Sequence, residues 1–284
     1  MSGLVAEAIA EETLRLLAER QRPRGSTYRL QFNTGFTFRD AAAIVAYLHA
    51  LGVTHVYSSP YLTAQPGSPH GYDVCNHEQL NPELGTADDY AAFVAALKQH
   101  EMGQVLDVVP NHMAASSANS WWLDLLENGL SSPYAHYFDI DWRPIKDELA
   151  GKVLLPILGQ QYGDALEAGE LKLEHGEGAF TLHYFDHILP IAPKSVIPIL
   201  EAPLEELKTA LGETSEAFGE YQSILTGLAH LPSKSNTEPA SMQERQREKE
   251  VIKRRLKRLE SDNPQVLETV QKVVTGWNGT RGEP

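Results

Sequence analysis

The first 110 residues alternate between short apolar runs and longer segments with helical spacing. Residues 27–32, 53–57 and 105–109 are short runs rich in β-branched and aromatic side chains, as is typical of strands. Between them, residues 37–50 and 86–100 have helical periodicity, and each begins with a Thr followed three residues later by an Asp, the pattern of a capping box. Strand and helix therefore alternate, which predicts parallel strands joined by right-handed crossovers.

The rest of the chain follows other patterns. Residues 4–20 have the spacing of an amphipathic helix, and residues 121–130 predict a short helix. Residues 137–193 are rich in Pro, Gly and aromatic residues, and the chain turns helical from residue 200. Short strand-like runs lie at residues 153–155, 171–173 and 180–184. Residues 240–259 are dense in Arg, Lys and Glu, which we interpret as a solvated helix face.

These patterns predict an α/β fold, namely an incomplete (β/α)8 TIM barrel consisting of its first three strands, with inserted subdomains. Four parts are expected: an N-terminal helical extension (1–25), the first part of the barrel (26–113), an inserted subdomain with short strands (114–199) and a helical insertion subdomain (200–284). Three strands cannot close a barrel, and open sheet edges invite pairing with other chains. We therefore expect these residues alone to be poorly stable or to self-associate.

Charge, cysteine content and hydropathy exclude several kinds of partner, cross-link and membrane segment. The chain has 24 Lys and Arg against 38 Asp and Glu, a formal net charge of −14, which disfavours nucleic acid and anionic membranes as partners. A single cysteine, Cys75, excludes an internal disulfide and a Cys-rich zinc site. No apolar run approaches the roughly 20 residues of a membrane span, and charged residues interrupt the N-terminal segment. We expect a cytoplasmic protein with a neutral ligand.

Several common catalytic motifs are missing from the sequence. It has no Gly-x-Ser-x-Gly elbow, no Walker A loop and no His-Glu-x-x-His motif. The histidines lack a compact metal-ligand spacing, although His70 and His77 with Asp73 stay open as a metal-binding alternative. The prediction is a site without metal and without cofactor.

Sugar-binding residue types follow the second predicted strand, in the long loop over residues 58–85. Tyr72 offers an apolar ring face for a pyranose, and Asp73 beside it can accept hydrogen bonds from two neighbouring hydroxyls. His70 is a hydrogen-bond donor in the same loop. The alternative is a tight turn in which Asp73 binds the backbone.

A second polar group follows the third predicted strand. Asp107 stands among valines and Leu106, and a carboxylate in an apolar strand is costly unless it is paired; Arg29 on the first strand is a candidate partner. Asn111 and His112 come after the strand, where a neutral His112 can donate to a sugar hydroxyl. The alternative is a strand end with polar caps. Since loops at the carboxyl ends of parallel strands form the sites of α/β folds, both groups are expected at one edge of the sheet.

These motifs resemble those of the alpha-amylase clan of glycoside hydrolases, in which Asp-Val-Val-x-Asn-His ends the third barrel strand and Gly-Tyr-Asp follows the second. Further segments are similar to the maltooligosyltrehalose synthase family, in the family's order: residues 26–32, 67–74, 80–85, 137–142, 154–159, 184–187 and 247–255. The resemblance implies that Tyr72 stacks on a glucose unit, that His112 contacts the same glucose, and that Asn111 fixes the loop.

The resemblance implies an intramolecular transglucosylation, in which the terminal α-1,4 link of a maltooligosaccharide becomes an α,α-1,1 link. The family's aspartate nucleophile follows the fourth barrel strand and its glutamate acid the fifth, and no residue of this sequence matches either position. We therefore expect the N-terminal part of such an enzyme, inactive alone, with a second chain completing the barrel as a possible partner. A catalytically inactive α-glucan-binding protein, an α-glucan hydrolase of the same clan and a purely structural role stay open.

Overall fold

The computed structural model describes residues 2–20 and 25–279. Residues 21–24 and 280–284, which the predicted N-terminal extension and helical subdomain include, lie outside the described residues. The chain divides into two compact units, Met1–Ala114 and Ala115–Pro284. None of the described helices is long and apolar enough to cross a membrane.

The first unit contains a parallel sheet with helical crossovers. Its elements are α1 (Ser2–Arg20), β1 (Thr27–Leu30), α2 (Phe38–Ala50), β2 (His55–Ser58), β3 (Leu62–Ala64), β4 (Val74–Leu80), α3 (Ala87–Gln99) and β5 (Gly103–Leu106). Strands β1, β2 and β5 pair in that order, and both pairings are parallel. The predicted alternation of strands and helices is confirmed. The loop predicted between β2 and α3 is in part wrong, because it contains the antiparallel pair β3–β4.

Local side-chain contacts fix where the two crossover helices begin. The backbone N–H of Thr37 donates to the Asp40 carboxylate at 2.8 Å, and the N–H of Thr86 donates to Asp89 at 2.8 Å. Each contact satisfies a backbone donor that the first helical turn leaves without an intrahelical partner. Gly52 follows α2 with φ +82°, the left-handed conformation that ends many helices. Both predicted helix starts are confirmed.

The two faces of the parallel sheet differ in burial. Leu30 on β1 and Val56 on β2 are buried in the core of this unit, together with Phe38 of α2 and Phe93 of α3. Successive side chains of a strand point to opposite faces. Arg29 precedes Leu30 and Tyr57 follows Val56, and the two pair across β1 and β2. Both side chains therefore lie on the opposite face, where the candidate site is found.

The third parallel strand is shorter than its sequence predicts. The run at residues 105–109 predicts a strand, but β5 begins at Gly103 and ends at Leu106. The N–H of Asp107 donates to the Ser58 carbonyl at 3.0 Å, and beyond it Val108 is 61% exposed. Pro110 has no N–H to extend the pairing. Asp107 thus follows the strand end and is half-buried, so its predicted position inside an apolar strand is wrong.

The second unit contains an antiparallel sheet with helices before and after it in the chain. Its elements are α4 (Ser120–Asn128), α5 (Tyr162–Glu167), β6 (Leu171–Gly176), β7 (Ala179–Tyr184), β8 (His187–Pro190), α6 (Ile197–Glu201), α7 (Leu204–Leu211), α8 (Glu216–His230), α9 (Pro239–Asp262) and α10 (Pro264–Trp277). Phe180 of β7 shares one hydrophobic core with Tyr221 of α8 and Ile252 of α9. The strands predicted near residues 171 and 180 are confirmed, and the one at 153–155 is wrong because no strand forms there. The subdomain limits stay a prediction.

Helix α9 is not simply a solvated charged face, so that interpretation is wrong in part. Arg245 and Lys249 are buried on this helix. The Lys249 Nζ lies 2.6 Å from a Glu127 carboxylate oxygen, and the Lys253 Nζ lies 2.5 Å from the other. Helix α4 supplies a second carboxylate, Asp124, 3.5 Å from the Lys249 Nζ. Lys249 and Lys253 are therefore paired with carboxylates of α4, as a buried charge requires.

Candidate functional site

Four side chains meet at the carboxyl ends of the three parallel strands. Arg29 comes from β1, Tyr57 from β2, and Asp107 directly follows β5. Tyr72 comes from the loop between β3 and β4. The three strands thus bring together residues that are far apart in sequence.

These four side chains form a closed set of contacts. The hydroxyls of Tyr57 and Tyr72 both donate to Oδ2 of Asp107, at 2.8 and 2.5 Å. The Tyr72 hydroxyl in turn accepts a hydrogen bond from Nη2 of Arg29 at 2.9 Å. The Arg29 guanidinium lies 5.7 Å from the centroid of the Tyr57 ring, a cation–π contact. Each member therefore contacts two others.

The hydrogen bonds set the protonation of this group. The pKa of Asp107 is lowered, chiefly because Tyr72 donates to its carboxylate; Tyr57 and the positive charge of Arg29 act in the same direction. The pKa values of Tyr57 and Tyr72 are raised, chiefly because their hydroxyls donate to Asp107. At neutral pH, Asp107 is ionised and both phenols keep their protons. A carboxylate held in this way is an acceptor and not a proton donor.

Side chains and backbone of its own loop hold Tyr72 in place. The Ser68 hydroxyl donates to Oδ1 of Asp73 at 2.5 Å and accepts from the N–H of Gly71 at 3.1 Å. The N–H of Tyr72 donates to Nδ1 of His70 at 3.1 Å. Gly67, at the start of the turn, donates its N–H to the Glu83 carboxylate, 3.1 Å from each oxygen. The loop is thus bound at both sides of Tyr72.

Asp73 and His70 both take part in this turn. The hydrogen bond from Ser68 is the type of contact that the tight-turn alternative for Asp73 describes. The Nδ1 of His70 lies 3.7 Å from the Asp73 carboxylate, whereas Nε2 of His77 lies 3.0 Å from the Val109 carbonyl oxygen. Within residues 2–20 and 25–279, no group of three or more His, Cys, Asp or Glu converges on a possible metal position. The sugar contacts of Asp73 and His70 stay a prediction.

The structure does not bring Asn111 and His112 into the four-residue group. Both side chains are exposed and have no hydrogen bond to another described residue. The segment that carries them runs beside β4, where the N–H of Ala114 donates to the Val74 carbonyl at 2.8 Å. Their predicted sugar contacts stay a prediction.

The sequence patterns indicate Arg29, Tyr72 and Asp107 but not Tyr57. They also predict a direct pairing of Arg29 with Asp107, whereas the Tyr72 hydroxyl lies between the two. The register of the sheet is the signal that identifies Tyr57, because Tyr57 pairs with Arg29 across β1 and β2. Paired residues of neighbouring strands point to the same face.

Gly71 is required by the turn that presents Tyr72. Its φ is +78°, and an added Cβ would lie 2.7 Å from the Pro60 carbonyl oxygen. We expect Gly71→Ala to lower the free energy of unfolding of the first unit by about 1–3 kcal/mol, because strain and clash combine. Gly67→Ala is the matched control, since Gly67 has φ +75° but open space around an added Cβ. Urea unfolding measures both, and equal losses would contradict the assignment.

Comparison with known proteins shows similarity to the alpha-amylase family. The model of the alpha-amylase catalytic domain matches residues 42–190. A putative maltooligosyl trehalose synthase of Mycobacterium tuberculosis is 43% identical over 170 residues, covering 54% of this chain and 22% of the relative. The trehalose-6-phosphate hydrolase of Escherichia coli is 34% identical over 111 residues, covering 38% of this chain and 19% of the relative.

A solved structure shows the same similarity. The maltooligosyltrehalose synthase of Arthrobacter ramosus matches with a TM-score of 0.52 at 42% identity. The match covers 59% of this chain and 21% of that one. The chain therefore spans about a fifth of the length of these synthases, over their N-terminal portion.

Proposed function

The chain belongs to the alpha-amylase family, and we propose that it is the N-terminal part of a maltooligosyltrehalose synthase. Such an enzyme converts the terminal α-1,4 link of a maltooligosaccharide to an α,α-1,1 link, and so takes part in trehalose biosynthesis. The identity of 43% to the M. tuberculosis relative and the group around Tyr72 both support this proposal. The part of the fold proposed here is the first three strands of a TIM barrel.

The proposed role of these residues is to bind a glucose unit of the substrate. The hydroxyl of Tyr72 is bound by Arg29 and Asp107, which fixes the position of its ring. A fixed aromatic ring is a suitable surface for the apolar face of a pyranose, and it loses little conformational entropy on binding. Asp73, His70, Asn111 and His112 are the proposed hydrogen-bonding partners of the sugar hydroxyls.

The proposed reaction needs groups that these residues do not provide. Retaining glycoside chemistry uses two carboxyl groups about 5–5.5 Å apart, one as nucleophile and one as acid and base. We place them after a fourth and a fifth parallel strand, whereas the parallel sheet of the described residues has three strands. In this proposal the 284 residues contribute sugar binding, and a further segment or a second chain that extends the sheet contributes the catalytic carboxylates.

Binding of maltopentaose to the 284-residue chain tests the proposed site. We expect Tyr72→Ala to weaken binding about tenfold, because the stacking ring is removed. Isothermal titration calorimetry measures the affinity, and Tyr28→Ala serves as the control because Tyr28 lies on β1, is 47% exposed and is outside the group. A folded wild-type chain that binds no maltopentaose would contradict the proposal.

A further inference from the structure

We propose that Tyr57 is a positioning residue that holds Tyr72 in the orientation in which its ring faces the sugar. The inference rests on the proposed function, since it assigns Tyr57 to the same sugar-binding site. Tyr57 is not proposed to touch the sugar, because its hydroxyl is already bound to the carboxylate of Asp107.

The contacts of Tyr57 reach both partners of the Tyr72 hydroxyl. Its own hydroxyl donates to the carboxylate oxygen of Asp107 that accepts from Tyr72, at 2.8 Å. Its ring lies beneath the Arg29 guanidinium, 5.7 Å from ring centroid to guanidinium carbon. Tyr57 therefore fixes the acceptor with its hydroxyl and the donor with its ring. One side chain supports the Tyr72 hydroxyl from both sides.

Tyr57 lies on a more rigid element than either Tyr72 or Asp107. Tyr57 lies on β2, the central strand of the parallel sheet, whose backbone pairs with Arg29 on one side and with Val105 on the other. Tyr72 lies in a loop, and Asp107 follows the end of its strand. A functional side chain is held most accurately when a residue on a rigid element supports it.

The two donors on Asp107 also make the role of Tyr57 testable by pH. Tyr57 is one of the groups that lower the pKa of Asp107, after the larger contribution of Tyr72, and Arg29 also acts in that direction. Removal of the Tyr57 hydroxyl is therefore expected to raise the pKa of Asp107. If ionised Asp107 holds Tyr72, sugar binding will then be lost at a higher pH during acidification than in the wild type.

Tyr57→Phe is the test, because it removes the hydroxyl and keeps the ring beneath Arg29. We expect it to weaken maltopentaose binding about three- to tenfold at neutral pH, less than the full effect of a hydrogen bond to a charged group, because the lost bond acts on the sugar only through Tyr72. We also expect the acid limb of binding, the pH range over which binding is lost on acidification, to shift to higher pH. Tyr28→Phe is the matched control, since Tyr28 lies on the neighbouring strand with no side-chain hydrogen bond to a described residue; it should behave as the wild type.

Two results would overturn the role of Tyr57 without touching the proposed function. One is a Tyr57→Phe chain that binds maltopentaose as the wild type does, with the same acid limb. The other is weaker binding that accompanies a lower melting temperature with no shift of the acid limb, because a merely structural residue would behave in that way.

A ligand-free measurement separates this inference from the proposed function. In urea unfolding, the effects of Tyr57→Phe and Tyr72→Phe should be non-additive, because both hydroxyls bind the same carboxylate oxygen. Additive effects would overturn the positioning role even if the wild type bound no maltopentaose. Loss of wild-type binding alone would overturn the proposed function, while the non-additivity would still support the coupling of the two tyrosines.

Discussion

Incubated with maltopentaose, the 284-residue chain is expected to leave the number of reducing ends unchanged. Asp107 is the carboxylate of the four-residue group, and two phenols hold it in its ionised form. It therefore lacks the proton of a general acid, and one of its oxygens is already bound by two donors. The proposed catalytic pair lies after strands that the three-stranded parallel sheet of the described residues does not include.

A reducing-end assay distinguishes the possible activities by the sign of the change. Formation of an α,α-1,1 link removes a reducing end, whereas hydrolysis creates one. The maltooligosyltrehalose synthase of Arthrobacter ramosus, assayed in parallel, is the positive control for a decrease. A decrease with this chain alone would contradict the assignment of the catalytic carboxylates to other strands, and an increase would support the hydrolase alternative.

The parts of the fold that sequence predicts well are those fixed by local contacts. Helices α2 and α3 begin directly after Thr37 and Thr86. In each case the backbone N–H of the threonine donates to the carboxylate of the aspartate three residues later, which fixes the first helical turn. The parallel order follows from the alternation of strand and helix. Strand β5 is the exception, since its end depends on pairing with β2 and not on its own apolar run.

Contacts between distant residues could not be read from the sequence. Tyr57 and Asp107 are 50 positions apart, and only the register of the sheet brings them together. The β3–β4 pair has no clear strand pattern in the sequence, because it is short and irregular, with polar partners such as Thr63 and Asn76. The sequence indicates Tyr72 and Asp107 by residue type and by their position after strands. The predicted group therefore shares these residues with the observed one but lacks Tyr57.

The charged helix α9 shows the same limit in the second unit. Lys249 binds Glu127, which is 122 positions away, so its partner cannot be read from the sequence around residue 249. The spacing of Ile252, Leu256 and Leu259 places residue 249 on their face of the helix, but a lysine there does not by itself indicate burial. The side chain of Lys249 is 3% exposed, and its Nζ also contacts Asp124 and Glu250. A lysine in a run of Arg, Lys and Glu thus lies at the centre of a buried ion cluster.

Lys249→Met is therefore expected to destabilise the second unit by about 3 kcal/mol, the lower end of the range for a broken buried ion pair, because Glu127 and Asp124 lose their shared cation while Glu127 keeps Lys253. Burial is the largest single effect and by itself would lower the pKa of Lys249, but the contacts with Glu127, Glu250 and Asp124 together outweigh it, so the pKa is raised above the usual value. A raised lysine pKa contributes stability that is fully present below the ordinary value of about 10.4 and is lost as pH rises through the folded value. The difference between wild type and variant should thus be constant at neutral pH and shrink only at strongly alkaline pH.

Urea unfolding of the two chains measures this loss, and two further variants control it. Lys257→Met lies on the same helix, where the side chain is 55% exposed beside Glu177, and should change stability by less than about 0.5–1 kcal/mol. Adding Asp124→Asn to Lys249→Met removes a largely buried carboxylate that faced Lys249 and leaves the Glu127–Lys253 pair in place, so it should restore part of the loss. Equal effects of Lys249→Met and Lys257→Met would mean that the cluster around Lys249 is solvated, as the charge pattern of the sequence alone predicts.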